Sequence, residues 1–128
     1  MGFTAGPEHI DVNGHVNNMV WLQWVQDIAS AHWEAVASLE HRDTYAWFVL
    51  RHEIDYRGNI TGGETVTATT TIPDPPAGAR FLRCVSFANE AGKEIVAVRS
   101  TWAMIDRASG KVKRVPAEVA APFLRESD

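Results

Sequence analysis

Cysteine is almost absent from these 128 residues: Cys84 stands alone, so one chain cannot close a disulfide on itself. Long apolar runs are missing too, and none approaches the roughly 20 residues of a membrane-spanning helix. Basic charge is not in excess, and a net charge of −4 weighs against nucleic acid as a partner. No basic-then-apolar leader opens the chain, so secretion is not expected and a cytoplasmic location is the default. Gly6 stands where a myristoylation motif after Met1-Gly2 needs Ser or Thr. Repeats and low-complexity segments are lacking. What remains has 45% apolar and 22% charged residues, the composition of one soluble globular domain spanning 1–128.

Glycine and proline are also missing from Asn17 to about Leu39. There the polar residues Gln23, Gln26, Asp27, Ser30, Glu34 and Ser38 recur at three- and four-residue steps, which makes one narrow stripe. Trp21, Trp24, Val25, Ile28 and Trp33 belong to the wider apolar arc. The pattern predicts one helix, about 33 Å long and buried on several sides. Asn17 or Asn18 is its expected N-cap, since an Asn side chain accepts from an orphan amide.

Beyond the helix the period falls to two. Phe48, Leu50, Ile54 and Tyr56 alternate with Val49, Arg51, Glu53 and Asp55, and Thr65–Ile72 is rich in β-branched residues. Strands are also predicted at Arg80–Asn89 and Glu94–Asp106, joined by the turn Asn89–Lys93, and at Phe3–Ile10 before the helix. A short basic piece, Lys111–Val115, and a Pro-bounded tail follow. Short connections imply antiparallel neighbours, hence an α+β fold with one sheet and one buried helix. Five strands span roughly 24 Å while a helix covers about 10–12 Å. The sheet must therefore curve strongly or be covered, and a homodimer pairing sheet edges or faces is expected. A monomeric α+β domain is the alternative.

Chemistry concentrates in Ile10-Asp-Val-Asn-Gly-His-Val-Asn-Asn18, immediately before the helix. Asp11 can deprotonate a water or attack a carbonyl, and Gly14 lets the backbone turn sharply. The helix N-terminal amides around Asn18 and Met19 would receive the negative oxygen, one such donor being worth about 3 kcal/mol in a transition state. A base beside ready-made oxyanion donors is a hydrolase layout. The competing reading is that Asp11 and Asn13 merely shape a capped turn.

The block Asp11–Asn18 with Trp21-Leu-Gln-Trp24 behind it resembles the hot-dog-fold thioesterases, nearest the 4-hydroxybenzoyl-CoA and acyl-CoA thioesterase group. Plant acyl-ACP thioesterases carry a similar block. Arg51–Tyr56 followed by Gly63-Glu64, then Arg80–Arg83 and Thr101–Asp106, extend the likeness in order along the chain. The resemblance implies a hot-dog fold, a curved antiparallel five-stranded sheet wrapped around one long central helix. It implies an acyl-CoA thioesterase that releases a free carboxylic acid and coenzyme A without a cofactor or metal. Asp11 would serve as general base or nucleophile, and the Asn18 amide would polarise the thioester carbonyl. Asn13 and His15 would have direct or orienting roles, while Gly14, Val16 and Asn17 would line the substrate. A homodimer with active sites between subunits is implied, and dimers of dimers (homotetramers) are a further arrangement. Neither nucleic acid nor membrane is an expected partner. The other readings are an acyl-ACP thioesterase and a non-catalytic acyl-CoA-binding hot-dog protein. Two departures stand out: Trp21 replaces a usual Tyr, and Gly58 replaces a Pro that commonly follows the Tyr-Arg pair.

Other residues complete the expectation. Trp21, one turn in from Asn18, is placed against the acyl group. His52 is read as a hydrogen-bonded core or interface histidine, with substrate contact as the second reading. Arg80 and Arg83 are candidates for coenzyme A phosphates, but a spacing of three sends them to opposite strand faces, so at most one faces a given ligand. His9, Asp11 and His15 fit no common zinc spacing.

Overall fold

The computed structural model describes residues 1–126. Its elements are β1 (Gly2–Thr4), a 3₁₀ turn (Pro7–His9), α1 (Asn18–Val36), α2 (Leu39–Thr44), β2 (Tyr45–Tyr56), β3 (Thr65–Thr71), β4 (Arg80–Ala88), β5 (Glu94–Asp106) and α3 (Ala117–Glu126). Among the described residues the strands make one five-stranded antiparallel sheet in the order β1-β3-β4-β5-β2. β1 lies antiparallel on β3 with Phe3 opposite Val66. β2, 12 residues long, is therefore an edge strand.

α1 follows its pattern. Gln23, Gln26, Asp27, Ser30 and Glu34 are exposed, while Trp21, Trp24, Val25, Ile28 and Ala29 are buried. The expected single helix to Leu39 instead stops at Val36. Ser38 starts α2 by accepting a hydrogen bond from the His41 N–H at 3.1 Å, the work of an N-cap rather than a stripe residue. The opening strand is also shorter than expected. Pro7 fixes its own φ and lacks an N–H, and the Gly6 N–H turns to the His9 ring at 2.9 Å, so β1 gives way to the 3₁₀ turn.

The chain packs as two compact units, the first formed by Met1–Ser30, Ile54–Thr70 and Val85–Val98. Its core centres on Trp21, Trp24, Val66, Phe87 and Val96. Trp21 meets Trp24 and Phe87 edge-on at ring separations of 5.2 and 5.1 Å. Burying an aromatic of this size contributes about 1.5–3 kcal/mol, and each edge-on pair adds about 0.5–1.5.

The second unit holds Ala31–Glu53, Thr71–Cys84 and the chain from Arg99 on. Ile72, Phe81, Met104, Val119 and Phe123 are its core, with Trp33 stacked on Phe123 at 5.7 Å. The expected Pro-bounded tail is helical here. Pro122 lies inside α3, whose Val119, Ala120 and Phe123 supply enough apolar burial to offset the hydrogen bond that proline cannot make. β2 also departs from its pattern. Trp47 packs on this core, whereas Phe48, Leu50 and Tyr56 of the alternating apolar set are 38, 46 and 44% exposed.

Candidate active site

The segment before α1 closes on itself. Ile10 and Val16 form an antiparallel bridge, the Asp11 N–H donates to the His15 carbonyl at 2.8 Å, and the Gly14 N–H donates to the Asp11 carbonyl at 3.1 Å. Gly14 has φ +79°, a left-handed turn that a side chain would strain. Asp11 shapes this loop through one oxygen: its Oδ1 accepts from the Asn13 N–H at 2.9 Å and the His15 N–H at 3.3 Å. Its Oδ2 has no hydrogen-bond or ion-pair partner among the described residues. The turn-forming and reactive readings of Asp11 are thus compatible, because a different oxygen serves each. Asp11 is half-buried; Asn13, Gly14 and His15 are exposed around it.

The helix start comes next. Asn17 is the N-cap, its Oδ1 accepting from the Met19 N–H at 2.9 Å, and Asn18 is the first helical residue. The Asn17 N–H donates to the His9 carbonyl and the Val20 N–H to the Asn17 carbonyl, both at 2.9 Å. The Asn18 N–H alone in this run has no acceptor among the described residues. This narrows the expectation that both Asn18 and Met19 amides face an oxyanion, since the cap already holds the Met19 N–H. Val16 is buried, and Val12 and Met19 are exposed apolar side chains beside the loop and the helix start.

Trp21 departs from its expected place against an acyl group. It has no exposed surface, and its indole N–H is buried without an acceptor among the described residues, so it belongs to the core. Asp11, Asn13, Gly14, His15, Val16, Asn17, Asn18 and Trp21 all lie in the first unit, and His52, Arg80 and Arg83 in the second. Of the two arginines, Arg80 is exposed and can meet an anion from solvent. Arg83 is buried, as opposite strand faces require, with its guanidinium 3.0 Å from His32 Nδ1 and over the Phe123 ring. Burial pushes Arg83 down to about 10. A side chain so enclosed does not present its charge to a phosphate at the surface.

His52 makes the hydrogen bond anticipated for it, 2.7 Å from Nδ1 to the hydroxyl of the fully buried Ser100. Burial lowers the imidazole below its ordinary value of 6.5. The unfolded chain therefore takes up this proton first as pH falls. The contribution of His52 to stability is complete above about pH 6.5 and declines below it, levelling once the folded form is protonated too. Urea titrations at pH 7.5 and 5.5 should show a smaller loss of stability in His52→Gln than in the wild type. Equal losses would remove His52 from the acid sensitivity.

Sequence reasoning missed Asn59. Its Oδ1 accepts from the Val16 N–H at 3.2 Å and its Nδ2 donates to the Val16 carbonyl at 3.3 Å. No local pattern marks it, because its partner lies 43 positions away.

Solved structures share this architecture from end to end. A hypothetical protein from Staphylococcus aureus, determined in complex with CoA, superposes with a TM-score of 0.85 at 18% identity, covering 100% of this chain and 84% of its own. The probable thioesterase YbaW of Escherichia coli gives 0.82 at 19%, covering 100% and 98%. A 1,4-dihydroxy-2-naphthoyl-CoA thioesterase from Synechocystis gives 0.81 at 14%, covering 98% and 94%. The expected hot-dog fold is therefore the fold of this chain. No curated protein matches the sequence. Among the described residues no helix is long and apolar enough to cross a membrane. Residues 5–123 match the family model of the thioesterase-like superfamily, and the chain belongs to that superfamily.

Proposed function

We propose that this protein hydrolyses acyl-CoA thioesters to a free carboxylic acid and coenzyme A. The observation that carries the reading is the pairing of a half-buried carboxyl having one unengaged oxygen, Asp11 Oδ2, with the unengaged Asn18 N–H at the start of α1. As general base, Asp11 takes a proton from water, and the resulting hydroxide adds to the thioester carbon. As nucleophile, its oxygen adds to that carbon itself, giving a mixed anhydride that water then cleaves. In both routes the carbonyl oxygen becomes negative, the C–S bond breaks and the thiolate leaves to take up a proton. The Asn18 amide stabilises that oxygen in both. His15 and Asn13, exposed on the same loop, orient substrate. Membership of the thioesterase-like superfamily and the CoA bound to the Staphylococcus relative support this substrate class.

The working unit is a homodimer, joined through β2 and open to further pairing into dimers of dimers. An edge strand of 12 residues with Phe48, Leu50 and Tyr56 exposed is an unpaired template that soluble proteins normally cover. A free-thiol release assay over short, long and aromatic acyl-CoAs, with matching carrier-protein thioesters, tests the reaction. Release from at least one CoA substrate is expected. Faster release from the carrier-protein form would transfer the assignment to acyl-ACP. Tight binding with no release from any substrate would leave a non-catalytic binder.

A further inference from the structure

We propose that Asn59 is a positioning residue for this reaction, holding the peptide groups of Val16 so that the Asp11 carboxyl and the Asn18 amide keep their relative placement. The inference rests on the thioesterase reading above. It begins at the end of β2, where the Arg57 and Gly58 N–H groups both donate to the Ile95 carbonyl, at 2.8 and 3.0 Å. The chain passes so close that a Cβ on Gly58 would stand 3.0 Å from Ile95 Cγ2. A proline in that position would lose the hydrogen bond to Ile95, so glycine suits this path. The next residue is then delivered against the segment that precedes α1.

There the Asn59 carboxamide behaves like a piece of backbone. Oδ1 accepts from the Val16 N–H at 3.2 Å and from the Ile60 N–H at 2.8 Å, while Nδ2 donates to the Val16 carbonyl at 3.3 Å. The Val16 N–H also reaches the Ile60 carbonyl at 3.3 Å. Both polar groups of Val16 are engaged, and its side chain is locked in the core with 1% exposure. Only an amide side chain offers a donor and an acceptor side by side.

The position of Val16 explains why this matters. It bridges Ile10, the residue before Asp11, and it precedes the capped pair Asn17-Asn18. One clamp thus fixes the root of the base and the root of the oxyanion donor. A misplacement of about 1 Å between reacting groups can cost a hundredfold in rate.

The test compares wild type, Asn59→Ala and Asn59→Asp by thiol release on the best substrate of the panel, well below each melting temperature. Amide hydrogen exchange is followed at Val16 and Asn17. Asn59→Asp keeps the Oδ1 acceptor but sets a carboxylate oxygen against the Val16 carbonyl, so it breaks one half of the clamp. Melting curves establish that both variants are folded before their kcat is compared. Folded variants with kcat about ten- to a hundredfold lower, KM within about twofold and faster Val16 exchange are expected. A lower melting temperature with wild-type kcat in Asn59→Asp assigns a structural role only and overturns the proposal, leaving the thioesterase reading intact. A wild type that releases no thiol from any substrate overturns both.

Discussion

Asp11→Asn should lower kcat/KM for thiol release by roughly 10²–10⁴-fold while leaving the fold and the loop in place. The substitution is informative because of how Asp11 is used. Its Oδ1 accepts two backbone N–H groups, from Asn13 and His15, and an Asn carbonyl oxygen can accept the same two. The turn therefore survives, Gly14 keeps its left-handed backbone, and only the carboxylate that serves as base or nucleophile disappears. Asp11→Ala removes the turn acceptor as well, so any further loss it shows measures loop order rather than proton transfer. If Asp11→Asn turns over at the wild-type rate, Asp11 is a turn former and the reaction uses another group. Circular dichroism and melting curves indistinguishable from wild type are part of the expected result.

Much of this architecture could be read from residue order, for identifiable reasons. α1 announced itself through the absence of breakers and the exposed stripe from Gln23 to Glu34. β5 runs from Glu94 to Asp106 as its pattern predicts, since Asn89 and Gly92 supply a turn: the Asn89 Oδ1 accepts from the Ala91 and Lys93 N–H groups, and Gly92 has φ +84°. The Asp11 loop was legible in the same way, because Asx turns and positive-φ glycines act over four or five residues. Failures came where distant packing decides. The Pro-bounded tail carries no helical signal of its own, yet α3 forms around Pro122 because Val119, Ala120 and Phe123 find a core. Trp21 looked available to a ligand from its place one turn into α1, and only the rings of Trp24 and Phe87 show it enclosed. Asn59 was invisible because a clamp on Val16 leaves no trace in either neighbourhood.

β2 shows a different limit, and it leads to the second large effect. Alternation in Phe48, Leu50, Ile54 and Tyr56 states that one face will be covered, but not by what. Within the chain Trp47 takes the core position, and Phe48, Leu50 and Tyr56 are left to solvent on an edge strand. Leu50→Asp, near the middle of that strand, is therefore expected to weaken a homodimer by two to three orders of magnitude. Leu50 is 46% exposed in one chain, so covering it in a dimer is worth about half of the roughly 1.5–3 kcal/mol of a full Leu burial, and twofold symmetry imposes the change on both copies. A carboxylate with no partner adds a desolvation penalty of its own, and each 1.4 kcal/mol is about tenfold in Kd. Leu50→Met keeps the volume and apolar character, so it should leave association nearly unchanged. Sedimentation of all three proteins from low micromolar concentration upward provides the measurement. Thiol release assayed at the same concentrations should fall in step with the dimer for Leu50→Asp, since Asp11 itself is untouched. A wild type that sediments as a monomer, or a Leu50→Asp protein that stays dimeric, would remove β2 as the interface. Full activity in a monomeric Leu50→Asp would separate catalysis from association and confine the reaction to groups of a single chain.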